Sequence, residues 1–379
     1  MEYLIPFNRP YLSGQEKLLI NEVLDNRILS GNGPFTKKCQ GFFENKYGFG
    51  KCLLTTSCTD ALEMASILID IKAGDEVIIP SYTFVSSANP FLLRGAKIRF
   101  VDSKSEHPGM DEDKIEELIN ENTKAIVVVH YAGMACEMEK IMEIALKYNL
   151  YVVEDAAQAV DNYFEYSNSE KKYLGSIGHL AAFSFHETKN VSSGEGGMLV
   201  VNDNKLVERA EIIWEKGTNR NAFFKGLVDK YNWVDIGSSF LPSELIAALL
   251  YSQLNVIEYI QQKRKDIWNQ YYTGLKDWAL KNDIVLPFVP PSSGNNAHMF
   301  YLVLKSVEER DNLIQKLRNH RILSVFHYLS LHKSPFFLSK HDGRVLENAD
   351  RYSDCLLRLP LFVDLTEENL NTIINIIKS

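Results

Sequence analysis

From Ala125 to Ala157 the chain passes through AIVVVHYAG, then EMEKIMEIALKYN, then YVVEDAA. The outer two are near-continuous apolar runs, and the middle segment repeats its apolar residues at helical spacing. Strands without polar alternation must be buried on both faces, which parallel pairing beneath crossover helices provides. DEVIIP and KIRFVD read as further strands, and DALEMASILIDI as an amphipathic helix opening at Thr59 or Asp60. AAFSF and GMLVVND add two more core strands. The fold expected from the residues is an α/β sheet covered by helices on both sides.

Near Ser243 the character changes. One long helical stretch, SELIAALLYSQLNVIEYIQQKRKDIWNQYYTGLKDWA, ends near PFVPPSSGNNA, a Pro/Gly/Ser/Asn loop. HMFYLVLK, a helix around Glu308 to Asn319, LSVFHY and a final helix from Thr366 form a compact α+β unit. A chain of 379 residues is too long for one simple core. The expected division is a large α/β domain over 1–245 and a smaller C-terminal α+β domain over 246–379.

Composition excludes several classes. The formal net charge is −8, which disfavours a non-specific nucleic-acid binder. No run of 18 apolar residues exists, and MEYLIPFNRP lacks a basic segment followed by an apolar one, so no membrane association is expected. The five cysteines are scattered, with no C-x-x-C pair, as expected of reduced thiols in a cytoplasm.

Ligands collect at the carboxyl ends of the strands in open α/β sheets. There the sequence places Cys58 and Thr59 at a hydroxyl-rich helix start, Phe84 after VIIPS, and Asp155 and Gln158 after YVVE. Ser184, His186 and Lys189 follow in FSFHETKNVSSGEGG. Pyridoxal phosphate uses such a set: an amine for its Schiff base, a carboxylate on the pyridine nitrogen, an aromatic face, and a helix N-terminus for its phosphate. Taken singly, each residue has an ordinary explanation. A lone loop lysine is usually a solvated charge, and Asp155 could cap a turn through Ala156 and Ala157. His327 and His332 in FHYLSLH do not share a helical face and have no carboxylate cluster beside them, so no metal site is expected.

SFHETKN…GEGG, with TSCTDALEMA, GDEVIIPSYTFVSSANP, VHYAG, VVEDAAQAV and EKGTNR, resembles the DegT/DnrJ/EryC1/StrS family of sugar aminotransferases essentially end to end. The resemblance implies a fold-type-I, aspartate aminotransferase-like transferase with a large mixed-sheet domain and pyridoxal 5'-phosphate as cofactor. It gives Lys189 the Schiff-base role, Asp155 the pyridine nitrogen, Gln158 the ring hydroxyl and Phe84 the stacking face. Cys58, Thr59 and Ser184 correspond to the phosphate cradle. The family often completes that cradle with an asparagine from a second subunit. Here Ser239, in GSSFLP, occupies that position, and a homodimer with sites at the subunit interface is implied.

For the nucleotide sugar, the resemblance implies a lining by Tyr328 and His332, and His186 is held open between substrate contact and simple packing. Lys216, Asn219 and Arg220 of EKGTNR are candidates for the pyrophosphate, or else a solvated turn. The implied reaction moves an amino group from L-glutamate to a nucleotide-linked keto-sugar by ping-pong chemistry. A dTDP-linked C4 ketone and a galacto product are favoured over the gluco epimer or a 3-keto sugar. In enteric bacteria such a product feeds enterobacterial common antigen or O-antigen. A nicotinamide oxidoreductase is disfavoured because no G-x-G-x-x-G follows a strand. The dehydratase branch of the family carries histidine at the lysine position. A non-catalytic binding protein would not need Lys189, Asp155 and Gln158 together.

Overall fold

The apolar runs become seven strands of one mixed sheet, in a computed structural model that describes residues 3–379. They are β1 (Lys51–Thr55), β2 (Glu76–Pro80), β3 (Lys97–Val101), β4 (Thr123–Val129) and β5 (Tyr151–Asp155), then β8 (Leu180–Ser184) and β9 (Gly197–Val201). A small hairpin of β6 (Tyr163–Glu165) and β7 (Lys171–Tyr173) lies between β5 and β8 in the chain. The sheet order is β1-β9-β8-β5-β4-β2-β3. Pairs β2–β3, β2–β4, β4–β5 and β5–β8 are parallel, as the unbroken apolar runs predict. β9 departs from that pattern, running antiparallel to both β8 and β1. A parallel return needs a crossover helix, and the link from Phe185 to Gly196 contains none. That link is the loop bearing Lys189.

Residues on the strands alternate between two cores. Ile126 and Val128 enter one, with Phe43, Ile141 and Ala247, while Ala125 and Val127 enter the other, with Leu62 and Trp214. The helix predicted to open at Thr59 or Asp60 spans Cys58–Leu68, with Ser57 as its cap accepting from the Asp60 N–H at 3.0 Å.

The single long helix predicted after Ser243 is two helices, Glu244–Leu254 and Ile257–Lys281, interrupted where Val256 leaves helical geometry. The break lets one stretch serve two cores. Ala247, Ala248 and Leu250 pack in the large-sheet core, whereas Ile267, Trp268 and Tyr271 join a third core with β10 (Phe300–Val303), β11 (Leu356–Leu359) and the helix Glu367–Lys378. Neither Gly nor Pro marks the break, so periodicity runs straight through it. Among the described residues, no helix is long and apolar enough to cross a membrane.

Glu154 on β5 is fully buried. Its carboxylate accepts from the N–H groups of Gly175 at 2.7 Å, Ile177 at 2.9 Å and Gly178 at 2.5 Å, and lies 3.0 Å from His130 Nε2. Burial disfavours a charged His130, but hydrogen bonds with Cys136 and Glu154 outweigh it and raise its pKa to about 9. A raised histidine pKa contributes stability that is complete below the unfolded value of about 6.5 and is lost as pH rises through the folded value. Glu154→Gln should therefore cost about 3–5 kcal/mol at neutral pH. Thermal melts should also show that the variant loses less stability than wild type between pH 6.5 and 9.

Candidate active site

β5 and β8 end side by side, with Asp155 opposite Ala182 in register, and Ser184 two residues beyond. The Lys189 loop folds back on itself there, Phe185 N–H reaching Gly196 O at 2.8 Å and Glu187 N–H reaching Gly194 O at 2.8 Å. Asn190 secures the loop to the C-terminal unit. Its Nδ2 donates to Gln261 Oε1 and to Asn296 O, both at 2.8 Å, and its Oδ1 meets His298 Nδ1 at 2.8 Å. The lysine is thus aimed by its neighbour rather than by contacts of its own. Among the described residues, no hydrogen bond or ion pair engages its amine.

The loop opens into a cavity of about 550 Å³ between the strand ends and the C-terminal unit. Cys58, Thr59, Phe84, Asp155, Gln158, Ser184, His186, Lys189 and Tyr328 all line it. Asp155 is nearly buried, its Oδ2 accepting from Ser87 Oγ at 2.6 Å and its Oδ1 from Ala157 N–H at 3.2 Å. The turn-capping contact and the place in the cavity coexist. Gln158 accepts from Ala132 N–H at 2.7 Å and donates to Tyr328 Oη at 3.0 Å, so both ends of its amide are fixed. Phe84 is half exposed, presenting an open ring near Tyr328 with centroids 6.0 Å apart. His186 lines the cavity and is also held by Thr188 Oγ1 at 2.9 Å.

At Gly197 the start of β9 presses against the N-terminus of the helix Cys58–Leu68. A Cβ there would sit 2.2 Å from the Ser57 carbonyl carbon and 2.4 Å from Cys58 N. Only glycine lets the sheet approach the helix start this closely, which explains one residue of the glycine cluster.

Other expected residues lie elsewhere. His332 does not line the cavity. It is buried against Ser81 Oγ at 2.7 Å, with Asp350 3.6 Å away. Its sequence neighbour His327 lines the cavity instead, with Nδ1 2.6 Å from Tyr131 Oη. Lys216, Arg220 and Ser239 line a second cavity of about 920 Å³, not that of Lys189. Asn219 is occupied within its own loop, accepting from Asn232 N–H at 2.7 Å. No sequence motif pointed to Arg264, His298 or Arg358 as cavity residues, because they come from the C-terminal unit and meet the strand ends only through folding.

The surroundings weaken the amine's hold on its proton. Burial lowers the Lys189 pKa, and the charge of Arg358 lowers it further, against the opposing pull of Cys58 and Asp155. Burial and the same cations hold His298 and His327 well below the usual imidazole range. Burial also drives the Cys58 thiol up, with Asp155 adding to it, so this cysteine is not a thiolate nucleophile. Among the described residues, no group of three or more His, Cys, Asp or Glu side chains could hold a metal.

The sequence model of the DegT/DnrJ/EryC1/StrS aminotransferases matches residues 10–378. The chain belongs to this family. It is 32% identical to the GDP-perosamine synthase of Escherichia coli O157:H7, over 98% of this chain and 96% of that protein. A Streptococcus pneumoniae protein assigned as a sugar aminotransferase and solved in PLP and PMP forms shares the fold with a TM-score of 0.89 at 25% identity, covering 99% of this chain and 98% of that one. A Helicobacter pylori aminotransferase involved in pseudoaminic acid biosynthesis matches with a TM-score of 0.87 at 25% identity, over 100% and 98% of the two chains.

This member of the family is therefore a fold-type-I, pyridoxal phosphate-dependent sugar aminotransferase acting on nucleotide sugars. The residues present fit that cofactor: an unengaged amine, an oriented carboxylate, an open aromatic face and a capped helix start converge on one cavity. With its lowered pKa, Lys189 in the apoprotein should acylate with limiting acetic anhydride near pH 8 ahead of the exposed lysines. Peptide mapping checks this, and prior loading with pyridoxal phosphate should protect it.

Proposed function

We propose that this enzyme transfers the amino group of L-glutamate to the C4 ketone of dTDP-4-dehydro-6-deoxy-D-glucose, giving dTDP-4-amino-4,6-dideoxy-D-galactose and 2-oxoglutarate in the cytoplasm. The observation that carries the chemistry is the unengaged Lys189 amine sharing one cavity with the oriented carboxylate of Asp155. The nucleotide and ring configuration rest on the variants SFHETKN, KGTNR and DIGSSFLPSE within the family motifs.

When bound, pyridoxal phosphate supplies a carbonyl for amines and an electron-withdrawing ring. Lys189 would hold it covalently and, once released, carry a proton to and from the donor's α-carbon. A partly neutral amine suits this work, and such general acid–base catalysis contributes on the order of 10²–10⁴-fold. Asp155 would keep the ring nitrogen protonated, with Ser87 and Ala157 fixing its direction. Gln158 would face the ring hydroxyl and Phe84 the ring itself. Cys58 and Thr59, at the positive end of the helix Cys58–Leu68, would take the phosphate with Ser184. Tyr328 and His186 are proposed on the sugar side.

Asp155→Asn keeps an acceptor oxygen for Ala157 N–H and turns its amide NH2 toward Ser87 Oγ, a hydroxyl that can accept instead of donate, so its melting temperature should stay close to wild type. Turnover should fall about 10- to 100-fold if the ring nitrogen loses one or two pKa units. A folded variant with unchanged single-turnover rate would remove Asp155 from the chemistry.

A homodimer would bring Lys216, Asn219, Arg220 and Ser239 to a neighbour's site. Supporting this, the segment between them exposes Phe224, Leu227 and Trp233, an apolar surface that a second copy would cover. Under subunit exchange, inactive Lys189→Ala and inactive Arg220→Ala should restore activity in mixed dimers. Verified heterodimers without activity would show that the sites are not shared.

The substrate assignment is tested by incubating enzyme, L-glutamate and dTDP-4-dehydro-6-deoxy-D-glucose and reading the product by NMR. An axial C4 amine is expected. An equatorial amine would reassign the product to the gluco epimer, and turnover only with a GDP- or UDP-linked sugar would overturn the nucleotide.

A further inference from the structure

Three histidines line the Lys189 cavity, His186, His298 and His327, and hydrogen bonds fix where each ring carries its proton. The Asn190 amide nitrogen donates to Asn296 O, so its Oδ1 accepts from His298 Nδ1 at 2.8 Å, and His298 Nε2 is left as an acceptor. His186 Nδ1 accepts from Thr188 N–H at 3.3 Å, so its Nε2 carries the hydrogen and has the Glu195 carboxylate 3.7 Å away. His327 differs from both. Its Nδ1 lies 2.6 Å from Tyr131 Oη, a spacing that suits an O–H donor better than an N–H donor. Burial keeps that phenol protonated. Burial, with the charges of Arg358 and Lys189 after it, holds the imidazole well below its usual range, so the ring has a single hydrogen at neutral pH. Tyr131 therefore donates, and the hydrogen of His327 sits on Nε2. That atom has no hydrogen-bond partner among the described residues and is not one of the polar atoms shut off from solvent. Of the three rings, only His327 offers the cavity an N–H with no acceptor beside it.

A second chain of contacts sets this N–H near the reacting atoms. Ala132 N–H donates to Gln158 Oε1, so Gln158 Nε2 must donate to Tyr328 Oη, and the His327 ring stacks on that of Tyr328 with centroids 3.5 Å apart. In pyridoxal phosphate the ring hydroxyl neighbours the carbon that bears the reacting group. With Gln158 at that hydroxyl, Tyr328 and His327 follow beside the reacting group. Resting on the aminotransferase reading above, we propose that His327 is a catalytic donor whose Nε2–H holds the ketone oxygen while that oxygen is exchanged for nitrogen. The exchange belongs to both half-reactions. In one direction the two bonds from carbon to oxygen are replaced by bonds to nitrogen, and the oxygen leaves as water with the two hydrogens of the amine. In the other, water returns its oxygen to the carbon and its hydrogens to the nitrogen. No oxidant or reductant is needed. Lys189 moves the proton on carbon, which is separate work. A donor that stays neutral stabilises charge developing on the oxygen without giving up its own proton.

The test uses His327→Asn and His327→Gln holoenzymes with L-glutamate in heavy water. Exchange of the glutamate α-hydrogen for deuterium needs Lys189 but no oxygen exchange, whereas release of 2-oxoglutarate needs both. Asparagine reaches the Nδ1 position and keeps a partner for Tyr131, but loses the donor to the cavity. Glutamine reaches the Nε2 position and keeps that donor instead. Exchange of the α-hydrogen should stay near wild type in both variants. Release of 2-oxoglutarate in a single turnover should fall roughly 100-fold in His327→Asn and recover in part in His327→Gln. A purely structural role would reverse that order, since asparagine preserves the buried contact. In the apoprotein, nitrogen-15 NMR of the histidine rings should show one Nε2–H ring with an accepting Nδ1 that disappears in His327→Asn. An Nδ1–H ring for His327 overturns the assignment. So does release in His327→Asn that equals or exceeds that in His327→Gln, or a parallel loss of exchange and release in both variants. A wild-type holoenzyme that neither exchanges nor releases would instead overturn the aminotransferase reading, and this assignment with it.

Discussion

The buried carboxylate of Glu154 organises the site from behind. It is one residue from Asp155 on the same strand, so the two side chains leave opposite faces of the sheet. Glu154 collects three backbone N–H groups of the turn that feeds β8, along with His130 from the end of β4. A full charge in a dry core survives only when every lone pair is occupied, which fixes the turn in one arrangement. That turn determines where β8 begins, and hence where Ser184 and the Lys189 loop emerge. One strand thus supplies a structural acid on one side and a functional acid on the other.

Arg264 and Arg358 share the cavity with the Lys189 amine, Asp155 and the rim residue Glu195, while burial and the neighbouring cations hold His298 and His327 well below the usual imidazole range. The arginines favour anionic occupants, while burial first, and the charge of Arg358 after it, lowers the proton affinity of Lys189. The aromatic enclosure of Tyr82, Tyr131 and Tyr328 limits the water that would otherwise screen these charges.

Much of the fold was legible because burial on both faces leaves a mark in each strand. AIVVV and YVVED could only be central, and the helix between them followed from its spacing. Lys189, Asp155, Gln158, Phe84 and the Cys58–Thr59 helix start could be found together because strand-end positions are local features of the sequence. The break at Val256 left no such mark, since its cause is a change of packing partner. His332 was expected in the cavity lining, and His327 is found there instead, for a related reason. They lie in an irregular segment, where no periodicity says which side chain faces inward.

The sequence by itself determined the class of the sheet, the residues at its carboxyl edge and the family to which the chain belongs. These rest on local hydrophobic pattern and on motifs of a few adjacent residues. Only the tertiary structure decided that β9 returns antiparallel, that Asn190 aims its neighbouring lysine, and that Arg358 enters the same cavity with no ion-pair partner among the described residues. Each of these joins residues far apart in the chain, and packing, not local propensity, selects among the contacts such residues could make.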